Sequence, residues 1–410
     1  MSFALRIAIV FLLIFLTEFY FIKKIINSVR IIFPHFSSKK ISITRWIALI
    51  IIHIYPAALL FAWLQSAISK QASIAMPDNT FFDYAAVYPF WISVLIIVQS
   101  ILFFLLIDII RLLLFPLYKR KREKLKPFIA KLILGISFFF ILYVPLRIIY
   151  DYNSVSIRIK EYKAKNLPKD LRNFKITFIA DVQADRYTDT KRLNKFISKV
   201  NDTHPDLVLI GGDVITSTPD YIQTAAEYIG KIKSVHGVYS CVGDHDNWAY
   251  REDTKRSVRE ITEALNKYNV EMINDGRRVI KVGNAEIGIT FVTNTYVETI
   301  PDAELDHLTN EKTNYNLNIF LVHQPRQRLV DQALKQNYDL FLAGHTHGGQ
   351  ITFLFPFYNL SPTLFETKYV RGDFEFGKML MIVTRGLGMS LVPLRYNSTP
   401  EVTVIVLESS

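Results

Sequence analysis

Gly344-His345-Thr346-His347-Gly348-Gly349-Gln350 follows the apolar run 339–343, and this junction decides how the C-terminal half is read. A short run of branched and aromatic apolar residues reads as a buried strand. Two histidines two residues apart just beyond such a strand can face one crevice. The same pattern recurs upstream. The run 175–180 leads into Asp181-Val182-Gln183, and 207–210 leads into Gly211-Gly212-Asp213. The run 238–242 leads into Gly243-Asp244-His245-Asp246, and 318–322 into His323. In open α/β sheets the carboxyl ends of the strands share the crevice in which ligands bind. Five clusters far apart in sequence are therefore expected to converge on one site.

Outward from these junctions, further strands are predicted at 285–292, 378–383 and 401–407, and helices at 191–201, 221–231 and 254–268. Strands alternating with helices predict an α/β domain over residues 151–410. Residues 1–150 differ in texture. Four apolar stretches (5–22, 46–64, 88–115 and 128–149) are each near or above the ~20 residues that cross a bilayer. They predict an all-α bundle of four transmembrane helices, and hence a multi-pass membrane protein with the lipid bilayer as partner.

Charge follows the same division. The chain has a net charge of +11, but residues 1–165 hold 21 basic and 7 acidic side chains, and the remainder 27 basic and 30 acidic. The excess sits among the membrane spans, so no nucleic-acid partner is expected. The loop after the first span carries Lys23, Lys24, Arg30, Lys39, Lys40 and Arg45 without an acid; the loop after the third carries Lys119 to Lys131 with Glu123 alone. Positive loops mark the cytoplasmic side, which predicts an extracytoplasmic C-terminal domain. The single cysteine, Cys241, excludes an internal disulfide and a cysteine-rich zinc site.

The ordered series Asp181–Gln183, Gly212-Asp213, Gly243-Asp244-His245-Asp246, His323 and Gly344-His345-Thr346-His347 resembles the calcineurin-like metallophosphoesterase family over roughly residues 172–410. The longer G-H-T-H-G-G-Q stretch resembles a membrane-associated bacterial branch of it. The resemblance implies two β-sheets packed face to face with helices outside. It implies a first metal held by Asp181, Gln183, Asp213 and His347. A second metal would be held by the bridging Asp213 with Asp244, His323 and His345. A metal-bridging hydroxide would be the nucleophile. His245 would protonate the leaving group, with Asp246 orienting its ring.

Two positions depart from the family pattern, which has histidine where Gln183 stands and asparagine where Asp244 stands. An amide oxygen is a weak neutral ligand, and a carboxylate adds charge at the second position. Both changes favour hard cations, so two Mn²⁺ ions are expected, with Fe or Zn²⁺ as alternatives. The expected activity is hydrolysis of a phosphodiester or lipid-linked phosphate at the membrane surface. The competing expectation is a membrane scaffold or sensor that retains the fold without turnover. Arg385 and Arg395 are candidate contacts for a substrate phosphate.

Overall fold

The structure is a computed structural model that describes residues 3–69, 77–310 and 315–409. It forms two compact units, Met1–Arg147 with Phe353–Asn359, and Ile148–Thr352 with Leu360–Ser410.

The first unit is helical: α1 (Phe3–Ile32), α2 (Ser38–Ser69), α3 (Thr80–Leu113, with a π-helical segment at Asp83–Val87) and α4 (Arg122–Asn153). Among the described residues, three helices are long and apolar enough to cross a membrane: Ser38–Ser66 of α2, Thr80–Leu113 and Arg122–Asn153. The fourth expected span, 5–22, falls within α1, and the side chains of its first residues lie outside the described part. Ile97, Ile101, Phe104 and Ile133 form the core of the unit, and Phe21 stacks on Phe104 with ring centroids 5.8 Å apart.

The second unit is a two-sheet sandwich. Its strands are β1 (Ser156–Ala164), β2 (Lys175–Ile179), β3 (Leu207–Ile210), β4 (Val238–Cys241), β5 (Val270–Ile273), β6 (Gly276–Val282), β7 (Ala285–Val292), β8 (Leu317–Val322) and β9 (Leu340–Ala343). After the hairpin β10 (Phe353–Phe355) and β11 (Tyr358–Leu360) come β12 (Gly372–Phe376), β13 (Met379–Val383) and β14 (Glu401–Ser409). One sheet runs β1-β14-β2-β3-β4-β5 and the other β12-β13-β9-β8-β7-β6. Within them β2, β3, β4 and β5 are parallel neighbours, as are β7, β8 and β9.

Strand periodicity explains the layering. In β3, Leu207 and Leu209 enter the core between the sheets, and Val208 and Ile210 enter the outer core under the helices. In β9, Leu340 and Leu342 face inward, and Phe341 and Ala343 outward. A strand buried on both faces must be apolar at every position, which is why these strands read as unbroken runs. The outer layers are α5 (Thr190–Asn201), α6 (Ile222–Ile229) and α7 (Thr254–Asn266) on one sheet, and α8 (Asp302–Asn310) and α9 (Gln327–Lys335) on the other. Side-chain caps start two of them: Asp189 accepts from the Arg192 amide and Asp253 from the Arg256 amide.

Every predicted strand and helix of the C-terminal half is present. Four sandwich strands, β1, β5, β6 and β12, were not foreseen. The β10–β11 hairpin belongs to the helical unit. There the buried Gln99 side chain donates to the Leu354 carbonyl at 2.7 Å and accepts from the Leu354 amide at 2.8 Å.

Candidate metal centre

Because β2, β3 and β4 are parallel, and β8 and β9 likewise, their carboxyl ends fall on a common edge of each sheet. Asp181, Asp213, Asp244, His323 and His345 follow those ends within one to three residues. The backbone there is unusual. Asp181, Gln183, Asp213, His345 and His347, five of the seven predicted ligands, have φ between 50° and 69°. A non-glycine residue in the left-handed region costs about 1–3 kcal/mol and tends to persist where it serves a site. Close approach fixes Gly243: a Cβ there would lie 2.2 Å from Asp213 Oδ1.

Two groups of ligand atoms converge, Asp181 with Asp213 and His323, and Asp244 with His323 and His345, each within 4.8 Å. His323 Nε2 lies 3.3 Å from Asp213 Oδ2 and 3.2 Å from Asp244 Oδ2. His345 Nδ1 lies 2.8 Å from Asp244 Oδ2. Both imidazoles are anchored from behind. His323 Nδ1 donates to the Gly211 carbonyl at 2.7 Å, which leaves Nε2 as the nitrogen facing the carboxylates. His345 Nε2 lies 3.0 Å from Glu366 Oε1, a carboxylate–histidine pair of the kind that orients a metal ligand.

The residues fit a pair of divalent cations. Asp181, Asp213 and Asp244 are at most 1% exposed, and so much buried negative charge requires cationic compensation. Asp181 Oδ2 and Gln183 Oε1 are buried without a hydrogen-bond partner. Burial pushes the Asp181 carboxyl up to about 6, with the charge of Asp213 adding to it against His323. Burial acts the same way on Asp244, but hydrogen bonds from His323 and His345 overcome it and hold this group well below the usual carboxylate range.

The two remaining predicted ligands behave differently. Gln183 is buried, and its Nε2 donates to Asp213 Oδ2 at 2.7 Å. His347 lines the same pocket but joins neither convergent group. Its Nδ1 is 3.4 Å from Arg395 Nη2, and burial, helped by that guanidinium, holds its pKa well below the ordinary value.

His245 stands at the rim. Its Nδ1 is 2.5 Å from the Thr216 carbonyl and its Nε2 2.9 Å from Ser390 Oγ. A carbonyl only accepts, so Nδ1 carries the hydrogen and Nε2 is free to accept, or to donate once protonated. Trp248 packs edge-on against the ring with centroids 4.5 Å apart. The expectation that Asp246 orients this ring is corrected. The Asp246 carboxylate accepts from the backbone amides of Asp213, Val214 and Gly243 at 2.8–2.9 Å. It ties the loop after β3 to the loop after β4, because three amides that leave the sheets there need an acceptor. Arg395 is likewise internal, fully buried and donating to the carbonyls of Gly388, His347, Arg385 and Ser398, so it does not meet a substrate. Arg385 lies 3.5 Å from Glu401.

Other contributors have no sequence signal except Gln324, which adjoins His323. Its Nε2 reaches both Asp244 oxygens at 2.8 Å. Tyr296 adds its backbone amide to Asp244 Oδ1 at 2.6 Å and its hydroxyl to Glu366 at 2.5 Å. The pocket over the centre, about 290 Å³, is walled by Asp213, Asp244, His245 and His345 on the polar side and by Trp248 and Leu391 on the apolar side.

Facing mixed sheets with carboxylates and imidazoles gathered at parallel strand ends define a metallophosphoesterase, a metal-dependent phosphoric ester hydrolase. Residues 174–349 match the calcineurin-like phosphoesterase family, and the domain they lie in belongs to it; members of that family bind a dinuclear divalent metal centre. The chain is 29% identical over 260 residues to the Bacillus subtilis metallophosphoesterase YkuE, covering 60% of this chain and 84% of that protein. It is 29% identical over 260 residues to the Danio rerio "Transmembrane protein with metallophosphoesterase domain", covering 61% and 56%. It is 27% identical over 237 residues to the Escherichia coli phosphodiesterase YaeI, covering 57% and 82%.

Proposed function

We propose that residues 151–410 hydrolyse a phosphodiester or lipid-linked phosphate beside a bilayer to which residues 1–150 anchor them, with Mn²⁺ as the metal. The observation that carries the reading is the convergence of three buried carboxylates and two anchored imidazoles next to His245. Two divalent cations would supply charge neutralisation for the phosphate oxygens and a water acidic enough to attack at neutral pH. Asp181, Gln183, Asp213 and His347 are assigned to one cation, and Asp213, Asp244, His323 and His345 to the other. Gln324 and the Tyr296 amide hold the Asp244 carboxylate in place. His245, with Nδ1 fixed on Thr216, presents Nε2 as the group that protonates the leaving oxygen. The relative named a phosphodiesterase supports the choice of ester, and the Danio rerio relative supports the anchor.

The side of the membrane follows from the basic loops. With the loop between α1 and α2 in the cytoplasm, α2, α3 and α4 make three crossings, and the hydrolase domain emerges outside the cytoplasm whether or not α1 spans. The test is the purified full chain with Mn²⁺ and an aryl phosphodiester, with bound metal counted in parallel. Turnover with close to two metals per chain supports the proposal. Less than one metal and no turnover across Mn²⁺, Fe and Zn²⁺ would leave the scaffold reading instead.

A further inference from the structure

The helical unit holds a second polar cavity that the hydrolase reading does not use. It has a volume of about 630 Å³ and is lined by the last turns of α1, the end of α3 and the first turns of α4. Six cations face it: Lys23, Lys24, Arg30, Arg111, Arg122 and Lys126. Asp108 is the one carboxylate among its walls, and it is already engaged. Lys24 Nζ lies 2.6 Å from it, the Tyr20 hydroxyl donates to it at 2.7 Å, and Arg111 lies 3.8 Å away. Ile129, Ala130 and Ile133 line its apolar part.

Topology alone does not require this arrangement. A positive loop satisfies the orientation rule wherever its cations point, and Lys119, Arg120, Lys121 and Lys124 of the same loop stay out of the cavity. Six cations against the single Asp108 carboxylate leave the hollow strongly positive, and such like charges repel one another unless a further anion sits between them. Arginine forks and lysine ammonium groups together suit phosphate oxygens. The same helices expose Ile109, Leu112, Leu113 and Phe128. A lipid could lay its acyl chains on these residues, and a free inorganic anion would gain nothing from them.

We propose that this cavity binds the anionic phosphodiester head group of a membrane phospholipid. Basic pockets between helices at the interface are suited to such head groups, at about 1 kcal/mol, or about fivefold in affinity, per cation. The test is native mass spectrometry of the detergent-purified full chain incubated with phosphatidylglycerol or phosphatidylcholine, with and without millimolar inorganic phosphate. The wild type is expected to retain one phosphatidylglycerol and no phosphatidylcholine, and phosphate should not displace it. Lys23→Gln and Lys126→Gln should each reduce retention about fivefold. Lys119→Gln and Lys121→Gln, which remove the same charge outside the cavity, should leave it unchanged. All four lysines are exposed, so folding is not at stake, and melting of each variant verifies this. Equal retention of both lipids, or equal loss in all four variants, would reduce the cavity to a diffuse positive surface. Displacement by phosphate would make it a site for a free anion instead, and either result overturns the proposal.

Discussion

Replacing His245 with alanine removes an imidazole whose Nδ1 is held by the Thr216 carbonyl and whose Nε2 faces Ser390. Turnover of esters with poor leaving groups should fall by about 10²–10⁴, the usual contribution of a general acid. Metal content, read by elemental analysis, should stay at the wild-type level, because the side chain belongs to neither ligand group. Loss of metal would mean that His245 is a ligand. Gln183→His should raise metal affinity at the first position, because imidazole is a better donor than an amide oxygen, and the Gln183 amide turns its Nε2 rather than its oxygen toward Asp213. Isothermal titration should then show a tighter first event, and an unchanged isotherm would remove position 183 from the site. Asp181, Asp213, Asp244, His323 and His345 were legible because each stands directly after an apolar run. Glu366, Tyr296 and Ser390 were not. They come from loops with no periodicity, and only the fold brings them to His345, Asp244 and His245.

At the scale of elements, Gln99 is the fastener between α3 and the β10–β11 hairpin. Gln99→Ala deletes both hydrogen bonds at a cost of about 0.5–1.5 kcal/mol each. Hydrogen exchange at the Leu354 amide should accelerate severalfold or more, with the β2 and β3 amides unaffected. Equal protection in wild type and variant would mean that the hairpin is held by other contacts. The strands that carry the centre were readable because both of their faces are buried, so their sequences are unbroken apolar runs such as Leu207–Ile210. β1 and β6 bury far less of themselves and carry charges among their apolar residues, on both faces in the alternating pattern of Ser156–Ala164. Such strands look like polar linkers until a partner is known. For β1 that partner is the distant β14, in parallel register from Ser156 with Glu401 to Ala164 with Ser409.

For the whole molecule, topology and metal linkage are both open to measurement. A C-terminal reporter that matures only outside the cytoplasm should be active, and one that works only inside should be silent; the reverse would invert the assigned orientation. Metal at 100 times its dissociation constant should stabilise the fold by about 2.7 kcal/mol relative to chelator-treated protein. Thermal melting of the full chain with and without chelator reads this directly, and coincident curves would mean that no cation binds the folded state. The five left-handed residues at the strand ends add a constraint of another kind. Glycine would adopt those angles at almost no cost, so a lineage that had given up turnover could gain robustness simply by drifting toward glycine there. Aspartate, glutamine and histidine at such angles are a standing trade of durability against the ligand atoms that only those side chains supply.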